Sequence, residues 1–262
     1  MTTTNTTTLM AQINKEKTDS VFSRLKPSIL VTPVILVLVL VLLYFWVHGH
    51  KLDFQERSSL NQAFLTRAIK DHLFLTLVSA GIILMISVPL GVVLTRRSMR
   101  FLTPIFLILA NAGQAVPLIG LLILMGIEFT FGYQIAIASF AAYGILPILR
   151  NTIVGLQQID PFIVESARGM GMTSRQALFK IELPLAVPVI LAGIRTTLIL
   201  TVGAATFGVF VNGGGLGTII QQGNKLNRQT VLITGATLAI VLAFALDWIA
   251  KVIEEILRPR GI

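Results

Sequence analysis

Five stretches of this chain run for nineteen residues or more without one charged side chain: 29–47, 73–95, 101–127, 129–149 and 196–224. A bilayer core ~30 Å thick takes roughly 20 helical residues to cross. Backbone in lipid must also satisfy its own N–H and C=O groups, which leaves helices as the economical way to span. Runs of this length therefore restrict the chain to a helical bundle in a membrane. With 54% hydrophobic and 13% charged residues, there is too little polar side chain to coat a soluble domain. A sixth run, Thr230–Leu246, reaches a spanning length if Asp247 and Trp248 form its interfacial end. The stretch after Pro184 continues through Arg195 into the fifth run. The expectation is an all-α integral membrane protein of six spans, at about 29–47, 73–95, 101–126, 129–151, 184–211 and 230–250.

The net charge of +9 could be read as a nucleic-acid footprint, but its placement points elsewhere. Lys15, Lys17, Arg24, Lys26, Arg96, Arg97, Arg100, Arg168, Arg175, Lys180, Lys251, Arg258 and Arg260 fall on one side if six crossings start inside. Only Lys51, Arg57, Arg67, Lys70, Lys225 and Arg228 fall on the other. That asymmetry follows the positive-inside rule and puts both termini in the cytoplasm. Residues 1–28 read as a polar, Thr-rich cytoplasmic lead without fixed structure, and the run 29–47 is too long for a cleavable signal. The absence of cysteine excludes disulfides, thiolate metal sites and thiol catalysis.

Against this apolar background, the segment 159–184 is mostly polar and lies between spans four and five, on the cytoplasmic side. Asp160-Pro161 is a helix start, with Asp as cap and Pro at the first helical position. Glycine costs ~1 kcal/mol relative to Ala inside a helix, so Gly169 and Gly171 are expected to stop it. Thr173 with Gln176 has capping-box spacing and restarts a helix. Ala177, Leu178 and Ile181 then share one side, and Leu183-Pro184 ends the second helix at the membrane. Two short helices about a glycine hinge, with an apolar stripe, form a docking element for a partner protein. A merely solvated connection is the competing reading.

Glu165-Ser166-Ala167, three residues, Gly171, nine residues and Ile181-Glu182-Leu183-Pro184 resemble the EAA motif of bacterial ABC importer permeases, E-A-A-x3-G-x9-I-x-L-P. The one departure is Ser166, a small residue where the motif usually has Ala. RNTIVGLQQIDPFIVESARGMGM, ELPLAVPVILAGIRT and GGGLGTIIQQG, together with HLFLTLVSAGIILMISVPLGV and GQAVPLIGLLILM, are similar to permeases of osmoprotectant importers for glycine betaine, choline and carnitine. The likeness covers residues 72 to about 250. It implies a type I importer permease fold, with two permease subunits forming the pathway. It also implies a cytoplasmic ATPase dimer that uses ATP and Mg and receives the coupling loop, and a separate extracytoplasmic binding protein. Glu165, Ser166, Ala167, Gly169, Gly171, Ala177, Leu178, Ile181, Leu183 and Pro184 would carry the coupling. The chain itself has no phosphate-binding G-x4-G-K-[ST] loop, so no cofactor is expected on it.

Residues within the spans suggest pathway or gate positions. NAGQAVPLIG interrupts the third span with Asn111, Gln114 and Pro117, and a broken helix belongs beside protein or a water-filled path. Arg195 costs ~2.5–3.5 kcal/mol on insertion scales unless it is partnered. It either lines the pathway or pairs with backbone carbonyls or with Asn111 or Gln114 to fix packing, and the second reading is favoured. NGGGLG, with Asn212 and Gly214, forms an outer constriction, a re-entrant turn or an ordinary loop. His48, His50, Asp53 and His72 lack a recognised zinc spacing and are read as outer-loop residues, so no metal is expected.

Tyr133, Tyr143 and several Phe could supply cation–π contacts, yet no cage can be assigned. No converging Ser/His/Asp set and no membrane-centred acid are visible, so an enzyme is not expected, and an ATP-independent carrier is disfavoured. The substrate alternatives are methionine or a sulfonate. The chain is expected in the bacterial cell membrane.

Overall fold

The computed structural model describes residues 27–257, entirely without strands among them. The polar N-terminal segment and its four cations fall almost wholly outside the described residues. In chain order the helices are α1 (Pro27–Gly49), α2 (Phe54–Ser59), α3 (Gln62–Thr95), α4 (Thr103–Ala115), α5 (Leu118–Glu128), α6 (Tyr133–Gln157), α7 (Pro161–Gly169), α8 (Ser174–Ala177), α9 (Leu183–Ala205), α10 (Gly217–Lys225) and α11 (Gln229–Leu257). Among the described residues, five helical segments are long and apolar enough to cross a membrane, or six if the bent pair α4–α5 counts as one.

α6 is the centre of the bundle, packed between α3 and α9. Hydrophobic burial gives no preference between lipid and protein inside a membrane, so such helices hold together through close backbone approach and polar links. Both are present. A Cβ on Gly91 of α3 would lie 2.7 Å from Thr152 Cγ2 of α6, and one on Gly193 of α9 would lie 2.9 Å from the Pro147 carbonyl. Ser87 and Thr197 donate to the Ile145 and Gly144 carbonyls of α6, each at 3.3 Å. Leu75, Leu122, Ala136, Phe140, Ala205 and Val211 close one end of this core. α1 packs against α11 at the periphery, and its side chains stay largely uncovered along its length.

The third crossing is broken, as NAGQAVPLIG suggested. α4 and α5 meet at 93° across Val116 and Pro117. At 1.5 Å per residue, α4 reaches about 20 Å and α5 about 17 Å, so neither crosses alone. Pro117 supplies no N–H, and the chain turns where that bond would have been. Val116 N–H still reaches the Ala112 carbonyl at 3.3 Å, and Gln114 Nε2 donates to the Tyr143 carbonyl at 3.3 Å, tying the break to α6.

Several elements overrun their sequence boundaries. α3 begins at Gln62 rather than near residue 73, α6 continues to Gln157, and α11 reaches Leu257. Spans counted by uncharged residues stop at the first charge, whereas a helix continues wherever its backbone bonds can. At the outer end, Asp53 caps α2 through the Glu56 amide at 2.7 Å and accepts from Arg228 Nε at 2.7 Å. The Glu56 amide, then Arg228, hold its carboxyl below the usual carboxylate range. This support is present above the unfolded carboxylate pKa and fades as the pH falls through the lowered one.

Because Gly193 admits no side chain against α6, Gly193→Leu is expected to cost about 1–3 kcal/mol or more by overpacking. Thermal unfolding in detergent should show a clearly lowered midpoint, while Gly203→Ala, at a glycine with nothing within 4 Å, should not.

Candidate coupling surface and intramembrane polar sites

The segment after α6 is built from local signals. Asp160 caps α7 by accepting from the Phe162 amide at 2.9 Å, and Pro161 occupies the first helical position. α7 ends in a Schellman arrangement: Met172 N–H reaches the Ala167 carbonyl at 3.1 Å, and Gly171 N–H reaches the Arg168 carbonyl at 2.9 Å. Gly171 carries the left-handed conformation this requires, with φ of 85°. Gly169 is instead the last helical residue, so only one of the two glycines makes the stop. Thr173 and Gln176 then form the reciprocal capping box that starts α8.

α8 does not end at Leu183-Pro184. It passes through a π-turn, Leu178–Glu182, straight into α9, and Ser174–Val211 is one continuous helical segment of 38 residues. In the turn, Leu183 N–H bonds to Leu178, five residues back. The wider turn accommodates Pro184, whose ring and missing N–H would disrupt an ordinary α-turn there. The second half of this polar segment is thereby an extension of a candidate span, the whole about 57 Å long at helical rise.

Two faces of this element differ sharply. Ala167 and Ala177 are buried, with Leu178, Ile181 and Leu183 half-buried beside them. Phe162, Met170 and Phe179 are 75%, 74% and 65% exposed, joined by Ile163, Glu165 and Ser166. The Ser166 hydroxyl makes no hydrogen bond among the described residues, so the departure from Ala perturbs nothing within the chain. No ion pair joins Glu165 to Arg168 among the described residues, which leaves the Glu165 carboxylate free on the surface.

The root of the element is an ion pair that sequence reasoning did not find. Glu182, 6% exposed, receives Arg96 Nη2 at 2.6 Å and Nη1 at 3.3 Å. Arg96 is held by the Val92 carbonyl and the Thr95 hydroxyl, each at 3.2 Å. Glu182 occupies the free position of I-x-L-P, so the motif gave no signal for it. A bidentate, charge-assisted pair fixes orientation as well as distance, and this one ties the base of α9 to the inner end of α3.

The intramembrane candidates do not form one site. Arg195 of α9 binds Asp247 of α11 through Nε–Oδ1 and, at 3.0 Å, Nη2–Oδ2. It does not reach Asn111 or Gln114. Asp247 lies within α11, which runs on ten residues beyond it, so the partner of Arg195 is a side chain of the last helix and not one of the third crossing. Asn111 is exposed, Gln114 is engaged with Tyr143, and Pro117 marks the bend.

At the outer end, Asn212 (φ 57°) and Gly214 (φ 81°) lie in a fixed turn. His72, read from sequence as an outer-loop residue, is fully buried in α3. It accepts from the Leu216 amide at 3.2 Å and donates to the Val202 carbonyl at 3.1 Å. NGGGLG is therefore pinned to α3 and α9 rather than being an ordinary free loop. No three His, Cys, Asp or Glu residues are gathered as for a metal among the described residues.

Comparison with known proteins gives a consistent result. Residues 87–259 match the family described as binding-protein-dependent transport system inner membrane component. The chain is 35% identical over 192 residues to the glycine betaine/carnitine/choline transport system permease protein OpuCB of Bacillus subtilis, covering 73% of this chain and 88% of that one. It is 34% identical to the osmoprotectant import permease protein OsmW of Salmonella typhimurium, covering 77% of this chain and 95% of that one. A chain of the inward-facing MetNI methionine ABC transporter superposes with a TM-score of 0.66 at 27% identity, covering 76% of this chain and all of that chain.

Breaking one side of the Arg195–Asp247 pair leaves a partly buried charge without its partner. Arg195→Met and Asp247→Asn are each expected to cost about 2–4 kcal/mol of stability, discounted for partial exposure. The double variant should cost clearly less than the sum, and a double-mutant cycle of unfolding in detergent checks it.

Proposed function

The chain belongs to the family of binding-protein-dependent transport system inner membrane components, and on that premise we propose a specific role for it within an importer. It is the membrane-spanning subunit of an ATP-driven ABC importer that brings osmoprotectant quaternary amines such as glycine betaine, choline or carnitine into the cell. The observation that carries the reading is the α7–α8 element. It is a rigidly rooted, helical projection whose outer face exposes Phe162, Ile163, Met170 and Phe179 beside Glu165 and Ser166. An apolar surface of this kind on an otherwise polar segment is a partner site, with aromatic anchors supplying most of the affinity.

In this reading the partner is a cytoplasmic ATPase dimer, which supplies ATP hydrolysis with Mg. Phe162, Met170 and Phe179 seat in its groove, and Glu165 and Ser166 contact its surface. Ala167, Ala177, Leu178 and Ile181 pack the element together, and Gly171 sets the angle between its two halves. Leu183 and Pro184 lie where the element becomes span. Closure of the ATPase dimer displaces α8, and α9 moves with it because no hinge separates them. A second permease subunit completes the pathway, and an extracytoplasmic binding protein delivers the solute. The broken third crossing, with Asn111, Gln114 and Pro117, and the pinned turn with Asn212 and Gly214, are the pathway and outer-gate positions. Arg195 holds α11 to α9, so that both move together.

The relatives named for betaine, carnitine, choline and osmoprotectants support the substrate class. Methionine, named for the superposed solved structure, is the competitor. In proteoliposomes with the cognate ATPase and binding protein, labelled betaine, choline or carnitine should accumulate on ATP addition and methionine should not. Methionine uptake unaffected by excess betaine would refute the substrate assignment. Phe179→Asp should weaken ATPase association and uptake together by tenfold or more, since an anchor side chain is worth about 2 kcal/mol or more. Gly171→Ala, which forces a side chain into a left-handed conformation at about 1–2 kcal/mol, should lower both more modestly. Unchanged association in both variants would contradict the docking role.

A further inference from the structure

On the inner side of the bundle, a cleft of about 310 Å³ opens between the turn after α3, the end of α6 and the coupling helix α7. Four arginines line it: Arg96, Arg97, Arg100 and Arg168. The only acid present is Glu182, and Arg96 already occupies both of its oxygens. Arg97, Arg100 and Arg168 are exposed, and their guanidinium groups make no hydrogen bond or ion pair among the described residues. Three guanidinium groups thus face one cleft with their charge uncompensated. Placing like charges together without a counter-charge is unfavourable, and the arrangement fits a polyvalent oxyanion, whose geometry guanidinium forks match.

The surroundings specify where that anion comes from. The turn carrying Arg97 and Arg100 is only seven residues long, between the end of α3 at Thr95 and the start of α4 at Thr103, so it sits at the membrane surface. Its intervening side chains Met99 and Phe101 are 42% and 69% exposed. Cations alternating with uncovered apolar side chains at a helix end form an interfacial pattern, with charges at headgroup level and apolar groups toward the acyl chains. Basic clusters just inside a span attract anionic lipid of the cytoplasmic leaflet.

We propose that the cleft formed by Arg97, Arg100 and Arg168 binds the phosphate-bearing headgroup of an anionic phospholipid. Arg168 belongs to α7 and Arg97 and Arg100 to the bundle, so one headgroup bridges the coupling element and the spans. The site goes beyond the transport reading and does not depend on its substrate.

The test uses the full-length chain purified from vesicles of equal parts phosphatidylcholine and phosphatidylglycerol, with retained lipid read by native mass spectrometry. The wild type should keep phosphatidylglycerol in preference. The double substitution Arg97→Gln and Arg100→Gln should lower that retention about tenfold, and Arg168→Gln alone should lower it less. Arg175→Gln removes an exposed cation outside the cleft and should leave retention unchanged. Equal loss in the Arg175→Gln control, or no loss in the double variant, would overturn the proposal. Excess inorganic phosphate should not displace the lipid. If it does so completely, the site serves a free anion and the lipid assignment is wrong. If the double variant keeps its lipid but fails to capture the cognate ATPase subunit in a parallel pull-down, the cleft is a protein contact, also contrary to the proposal.

Discussion

The bidentate pair between Arg96 and Glu182 is the constraint on which the working arrangement depends. It joins the inner end of α3 to the base of α9, where a cytoplasmic element becomes a membrane span. Glu182 is nearly buried, so its carboxylate is tolerable only while Arg96 satisfies it. The π-turn around it lets the chain pass Pro184 without a break. Together they convert a polar loop into the continuation of a spanning helix. A displacement of α8 then reaches α9 without an intervening joint, and the Arg195–Asp247 pair extends that hold to α11.

The rest of the bundle keeps this element from bending freely. α9 is pressed against α6 at Gly193, α6 against α3 at Gly91, and the outer end of α9 is fixed by His72 and the turn at Asn212–Leu216. Both ends of α9 are thus tied to α3, by Arg96 inside and by His72 outside. The broken crossing α4–α5 lies apart from this frame, joined to α6 through Gln114. It is the segment in which backbone pairing is interrupted within the membrane.

Much of the fold was legible because hydrocarbon solvent imposes a simple rule on sequence. Long uncharged runs marked the spans, NAGQAVPLIG marked the break, and Asp160-Pro161 and Thr173-Gln176 marked the starts of α7 and α8. The same rule hid what mattered inside the spans. Counting uncharged residues ends the last span at Leu246 and gives no sign that Asp247 pairs with Arg195, 52 residues away in sequence. His72 stands just before an uncharged run and reads as a loop residue for the same reason, although its two backbone partners are more than a hundred residues distant. Glu182 stood in the variable position of a recognised motif, so the motif drew attention away from it. Pairings between distant residues are invisible to local pattern, and each of these three is such a pairing.

The central claim is that the coupling element and α9 act as one rod rooted at Arg96–Glu182. Its most direct test is the number of solute molecules imported per ATP hydrolysed, measured in proteoliposomes for the wild type and for Glu182→Gln. Loss of the charge pair should leave the ATPase subunit bound and hydrolysing while import per ATP falls by about tenfold, the scale of one charge-assisted hydrogen bond. An unchanged ratio, with both rates intact, would contradict the account.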